Sequence, residues 1–291
     1  MGIMSTNMTG YRRTNYFYSG GTSMAAPVVS GISALILEKW KTEVVPGANL
    51  HTQGPWNSTV KAILVHTATD LIKDQPDEPE LREGVTGANP DLCSPHNWSC
   101  TRESVSNSIV KYFKGPDYAT GYGLVNAGKA LDYTDSNRVI QDSIVDAASR
   151  EFTMEVPGRL NRLRFTLAWD DLPGSLSSAI NTSKLVNDLN IRVVDPNGDS
   201  HFPWILDPLP QVIDSNQPPA NGIDPIYAED VKPARKSINF ADNLEVVDVD
   251  PEGGGYLPSG QWRIIVSAYR VASGHKQDFS VVADYKIIPI P

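Results

Sequence analysis

Basic residues are in the minority: 25 Lys and Arg against 34 Asp and Glu leave a net charge of -9 and an isoelectric point near 5.0 over 291 residues. No basic run with interleaved aromatics occurs, which argues against a nucleic acid or an anionic membrane surface as partner. Long apolar runs are missing too. The longest candidate, Ile32 to Leu37, is interrupted by Ser33 and followed by Glu38 and Lys39, too short to cross a bilayer. The first residues, Met1-Gly2-Ile3-Met4-Ser5-Thr6-Asn7, lack the charged-then-apolar order of a signal peptide. We expect either an intracellular protein or, in preference, a chain that starts inside a longer product. Cysteine is nearly absent. The two, Cys93 and Cys100, share one Pro/Asn/Ser-rich loop, where reduced thiols and a local disulfide are both open. A metal site there is not expected, since only His96 stands near as a third ligand. Sequons at Asn7, Asn57, Asn97 and Asn181 lean toward a secreted, extracellular protein.

The chain changes character near residue 140. Before it, helical signals alternate with turn-rich loops. Ser23 reads as the cap of a helix to about Trp40, apolar on nearly every face and so expected to be buried on all sides, with Pro27 in its first turn. Asn57 reads as the cap of a second helix through Thr67, and Asn126 as the cap of a short one to Leu131. Residues 70–118 form a Pro/Asp/Asn/Ser-dense insertion. After about 150 the apolar period becomes two, in Phe152/Met154/Val156, Leu163/Phe165/Leu167/Trp169, Leu189/Ile191/Val193, Trp262/Ile264/Val266/Ala268 and Phe279/Val281/Ala283/Tyr285. Asp195-Pro196-Asn197-Gly198 is a turn between strands. Such strands, with no helical stretch between them, predict an antiparallel sandwich of Greek-key or jelly-roll connection over 145–291.

Gly21-Thr22-Ser23-Met24-Ala25-Ala26-Pro27 carries the chemistry. A hydroxyl follows a glycine turn at the start of an apolar helix, where free N–H groups and the helix dipole favour negative charge. A serine at a helix start is most often a cap, but the flanking glycine, Thr22 and Met24 exceed what a cap requires. A G-x-S-x-G elbow of an α/β-hydrolase, with His201 or His275 as base, is the rival reading. It fits less well, because Ala25 replaces the second glycine and the following half is all-β.

The motif closely resembles the nucleophile segment of the subtilisin family (subtilases). Gly31-Ile32-Ser33-Ala34-Leu35-Ile36-Leu37 looks like the buried helix that follows it. Gly121-Tyr122-Gly123-Leu124-Val125-Asn126-Ala127 is similar to the end of that catalytic domain, and Ala168 to Gly174, Leu185 to Asn190 and Asp242 to Glu245 resemble a β-sandwich appended to some members. The resemblance spans roughly 15 to 287. It implies an α/β architecture for residues 1–140, as the C-terminal portion of a subtilisin-like parallel-sheet domain, followed by the all-β sandwich at 145–291. It also implies a serine endopeptidase acting on polypeptides, with Ser23 as nucleophile, its backbone N–H as half of the oxyanion hole and Thr22 near it. The family's histidine, aspartate and oxyanion asparagine precede the serine in H-G-T and D-[ST]-G motifs. Neither motif occurs here, so the chain reads as a fragment lacking its N-terminal half and inactive alone. Of the five histidines, His66 is expected in a core, and His51, His96, His201 and His275 in solvated loops. The chemistry requires no cofactor. Asp170, Asp171, Asp188 and Asp242 could hold a structural calcium at one end of the sandwich, or form a solvated acidic cluster. The second class of function is a non-catalytic binding or stabilising module. With its covering strands absent, residues 1–140 are expected to fold poorly alone, and residues from about 145 autonomously.

Overall fold

The computed structural model describes residues 3–6, 16–19, 21–71, 113–117, 120–135, 137–175, 183–206, 233–251, 255–272 and 274–290. Cys93, Cys100, His96 and the sequons at Asn7, Asn97 and Asn181 lie outside them. The described chain forms two compact units: Met1–Thr67, Val125–His201 and Phe240–Pro291 make the first, Ala68–Leu124 and Phe202–Asn239 the second. Both are assembled from separate stretches, whereas the sequence reading divides the chain once, near residue 140. No described helix is long and apolar enough to cross a membrane.

The first unit begins with an antiparallel pair, β1 (Ile3–Thr6) and β2 (Tyr16–Ser19). Helix α1 (Thr22–Lys39) follows and runs into a π-helical turn at Trp40–Val44, then come α2 (Leu50–Gln53), α3 (Asn57–His66) and α4 (Ala127–Tyr133). The strands of its two large sheets are interleaved along the chain: β3 (Val139–Val145), β4 (Ser149–Val156), β5 (Leu163–Trp169), β6 (Asp188–Val194) and β7 (Ser200–His201). The second unit contributes β8 (Trp204–Ile205) and β9 (Arg235–Lys236), paired with each other. The chain closes in the first unit with β10 (Leu244–Val249), β11 (Gly260–Arg270), β12 (Lys276–Ala283) and β13 (Ile287–Pro289).

One sheet has the order β10-β5-β12-β3 and the other β13-β4-β11-β6-β7. Their inner faces share a core in which Phe165, Leu167, Trp169, Phe279 and Val281 of the first meet Met154, Ile191, Trp262, Ile264 and Val266 of the second. These are the period-two positions of the sequence, because alternate side chains point to one face of a strand. Each large side chain removed from water there contributes roughly 1.5–3 kcal/mol. The turn at 195–198 forms as expected: Asp195 Oδ1 accepts from the Asn197 and Asp199 N–H groups, and Gly198 takes a φ of 96°. Every described ladder is antiparallel, and the parallel sheet expected within 1–140 is not among them.

A second apolar cluster lies on the outer face of the β10-β5-β12-β3 sheet. Ile32 and Ile36 of α1, Trp40, Ala62 and Ile63 of α3 and Ala130 of α4 pack with Val139, Ala168 and Val282. The helices thus form a third layer. Only Ile32 and Ile36 of α1 are buried, while Val28 and Leu35 are exposed, so the expectation of a helix buried on all sides is corrected. Nothing described covers its remaining apolar face.

Helix starts correct the sequence reading three times and match it once. Gly21, not Ser23, is the N-cap of α1, and its φ of 136° is one that a side chain resists. Pro27 is the sixth helical residue rather than a first-turn one, and its ring nitrogen leaves the Ser23 carbonyl without a helical donor. Trp56 caps α3, so Asn57 is its first helical residue. Asn126 does cap α4, accepting from the Lys129 N–H.

Candidate active site around Ser23

Gly21 leads directly into α1, which puts Thr22 and Ser23 in the first two helical positions. The Gly21 carbonyl accepts from the N–H groups of Met24 at 3.0 Å and Ala25 at 3.1 Å. The N–H groups of Thr22 and Ser23 precede any helical acceptor and remain available to an anion. No acidic residue lies in this first turn to compete for them. Ser23 and Thr22 are both exposed. The arrangement provides a reachable hydroxyl beside a free N–H.

A base is what it lacks. Among the described residues no imidazole or carboxylate hydrogen-bonds Ser23. His51 is exposed in α2, and His275 is exposed before β12. His201 is half-buried in β7 rather than solvated in a loop, stacked on Trp262 at 5.7 Å with Asp195 3.6 Å away.

His66 is buried, as expected, but in polar company that the sequence did not announce. Its Nδ1 lies 3.0 Å from Thr166 Oγ1 and its Nε2 3.3 Å from Asp284 Oδ1. Tyr133 of α4 donates to the same Asp284 oxygen at 2.5 Å, and the Arg164 N–H donates to the other at 2.6 Å. The Arg164 guanidinium donates to both Asp248 oxygens, at 2.7 and 2.9 Å, and to the Val65 and His66 carbonyls at the end of α3. Burial holds the His66 pKa below its ordinary value, outweighing the pull of Asp284. Burial acts on Asp284 in the opposite sense, but hydrogen bonds from His66, Tyr133 and the Arg164 N–H win and hold its carboxyl low. A hydroxyl, an imidazole and a carboxylate stand in line here, yet Thr166 is fully buried and no substrate reaches it. The group fastens α3 and α4 to the sheet.

The four aspartates considered for calcium do not build a common cradle. Asp171 Oδ1 accepts from the Leu172 and Asn187 N–H groups and Oδ2 from that of Val186, which occupies the carboxylate in holding its own loop. Asp188 is buried and its pKa raised by desolvation, while Asp170 and Asp242 are exposed. Among the described residues no three His, Cys, Asp or Glu side chains are grouped to hold a metal ion. Glu245, fully buried, accepts from the Ile191 N–H through Oε2 and leaves Oε1 without a partner; desolvation pushes its carboxyl well above the usual range.

With this geometry in hand, the Subtilase family model matches residues 2–85, the stretch containing β1, β2 and α1 to α3. Among curated proteins, none matches the chain significantly. Two solved structures show a limited similarity. One is the CspB protease of Clostridium perfringens, at 13% identity and a TM-score of 0.28, over 52% of this chain and 27% of that one. The other is a serine protease of Aeromonas sobria, at 17% identity and a TM-score of 0.24, over 94% of this chain and 45% of that one. The chain therefore spans less than half the length of either, and likenesses this low carry no argument here.

Proposed function

From a chain whose residues 2–85 carry a subtilase segment, we propose a portion of a subtilisin-type serine endopeptidase in which Ser23 is the nucleophile. Ser23 Oγ attacks the carbonyl carbon of a peptide bond, and the oxygen–carbon bond forms as the Oγ proton passes to a histidine. That proton then goes to the leaving amine as the peptide C–N bond breaks, and water releases the acyl group from Ser23. This chain's part is the hydroxyl and the Ser23 N–H, directed at the carbonyl oxygen where negative charge develops. Neither H-G-T nor D-[ST]-G occurs in these 291 residues, so this reading requires the histidine, the aspartate that orients it and the asparagine completing the oxyanion hole to come from a further subtilase segment. No metal is needed for these steps. The observation that carries the reading is the Gly21–Pro27 motif, with Ser23 exposed at the first turn of α1 inside the matched segment.

The two facing sheets support a second, compatible role. Their shared core is buried, as an appended β-sandwich that stabilises its neighbour or binds a partner would require. A jelly-roll connection and a secreted location belong to the same proposal.

A fluorophosphonate probe tests the catalytic reading. A longer product bearing D-[ST]-G, H-G-T and the oxyanion asparagine is expected to be labelled, and Ser23→Ala to abolish that labelling; these 291 residues alone are expected to stay unlabelled. Labelling of the longer product that survives Ser23→Ala would overturn the assignment. Serine-dependent labelling of the 291-residue chain would place a base within it and favour the hydrolase elbow.

A further inference from the structure

Asn57 has no structural employment in the fold. Asparagine is a poor residue for a helix interior and a good one for a cap, yet Trp56 takes the cap of α3 and Asn57 stands one position too late. It is exposed, and its amide makes no hydrogen bond among the described residues. It lines a cavity of about 590 Å³ together with His51, Trp56, Asp170 and His275, so there is open volume beside the residue. The residue two positions on is Thr59, and Ser58 between them is not proline. An asparagine without a packing or capping role, exposed, heading an Asn-Ser-Thr triplet, fits one chemistry best.

We infer that Asn57 is an N-glycosylation site, carrying an oligosaccharide that projects over this cavity. In the transfer, Asn57 Nδ2 bonds to the anomeric carbon of a lipid-linked oligosaccharide diphosphate. The bond from that carbon to the diphosphate oxygen breaks, the lipid diphosphate departs, and Nδ2 gives up one proton; nothing is oxidised or reduced.

The fold also sets the order of events. Sequon recognition needs the Thr59 hydroxyl, and in the folded chain that hydroxyl is fully buried, 2.8 Å from Ser280 Oγ. Ser58 Oγ is buried against the same oxygen at 2.9 Å. Ser280 comes 221 residues after Thr59, so during synthesis the triplet is free long before its lock exists. Modification therefore precedes the docking of α3 on β12. Once attached at the exposed Asn57, the glycan leaves the Thr59–Ser280 contact undisturbed. This inference uses no feature of Ser23, but it rests on the secreted location proposed above, because the oligosaccharide is transferred only to chains that enter the secretory lumen.

The test is secretion of the 291-residue chain from a eukaryotic cell behind a cleavable leader, followed by peptide mapping after amidase removal of glycans in heavy-oxygen water. The Asn57 peptide is expected to carry the label, and Asn57→Gln to lose one glycan step on a gel with an unchanged thermal midpoint. Thr59→Ser, which keeps both sequon and hydroxyl, is expected to retain the glycan. An unlabelled Asn57 peptide, whether or not the other sequons are occupied, would overturn the inference. The order of events has its own arm: purified, folded, unglycosylated chain offered to solubilised transferase and lipid-linked oligosaccharide is expected to stay unmodified at Asn57. Modification there as efficient as in the nascent chain would overturn it.

Discussion

His66 and Glu245 show how burial, rather than residue type, fixes what a side chain contributes. His66 is held neutral because burial disfavours the imidazolium, and its two ring nitrogens are both engaged. Removing it with His66→Ala leaves Asp284 and Thr166 short of a partner, and we expect a loss of roughly 2–4 kcal/mol in urea unfolding. The pH dependence has a definite sign. A group whose pKa is lower when folded makes the unfolded chain bind more protons, so stability falls as pH drops. For His66 that loss begins as pH falls through the ordinary value of 6.5, and for Asp284 it follows below 3.8. Glu245 runs the other way, its raised pKa costing stability as pH climbs above the ordinary 4.5. Between pH 4.5 and 6.5 the two groups therefore act against each other, and Glu245→Gln is expected to make urea midpoints rise more steeply with pH across that window than in the parent chain. An unchanged slope in Glu245→Gln would show that Glu245 is not the group titrating there.

At the scale of elements, α1 carries an imbalance between composition and cover. Val28 and Leu35 are 41% and 44% exposed on a helix whose buried residues are Ile32 and Ile36. Exposed apolar side chains on an uncovered helix promote association. Val28→Lys with Leu35→Lys is expected to lower self-association in sedimentation while changing stability by no more than about 0.5 kcal/mol per site. A large loss of stability would mean that this face is covered within the chain. What was legible in the sequence follows the same division. The inner strand faces were readable, because Phe165, Leu167 and Trp169 alternate with a period that only a strand satisfies. The outer face was not: Arg164 and Thr166 sit at alternate positions that look solvent-facing, and only the arrival of α3 from a hundred residues upstream buries them. Ser23 was legible as a motif. Its cap role was not borne out, because the Gly21 carbonyl accepts the Met24 and Ala25 N–H groups and leaves Ser23 within the helix.

For the first compact unit as a whole, the question is whether its two sheets stand without the helices. The sequence reading expected residues from about 145 to fold on their own. Within this unit the outer face of the β10-β5-β12-β3 sheet carries Ala168, Val282, Thr166 and Ser280, all fully buried beneath the helical layer. Strip the helices away and Thr166, Ser280 and Asp284 lose Thr59, Ser58, His66 and Tyr133 as partners, while the apolar positions meet water. The inner core between the sheets is untouched by that loss. We therefore expect residues 138–291 alone to fold, but with a stability lower by at least about 3 kcal/mol and with dye-binding apolar surface. In the intact chain, amide exchange is expected to protect α3 to the same degree as β5 and β12, since their hydrogen bonds open together. The first turns of α1, with no described layer over them, should exchange far faster. Fast exchange in α3 alongside slow exchange in β12 would mean that the polar seat of His66 is loose and that the helices ride on the sheet instead of being part of it.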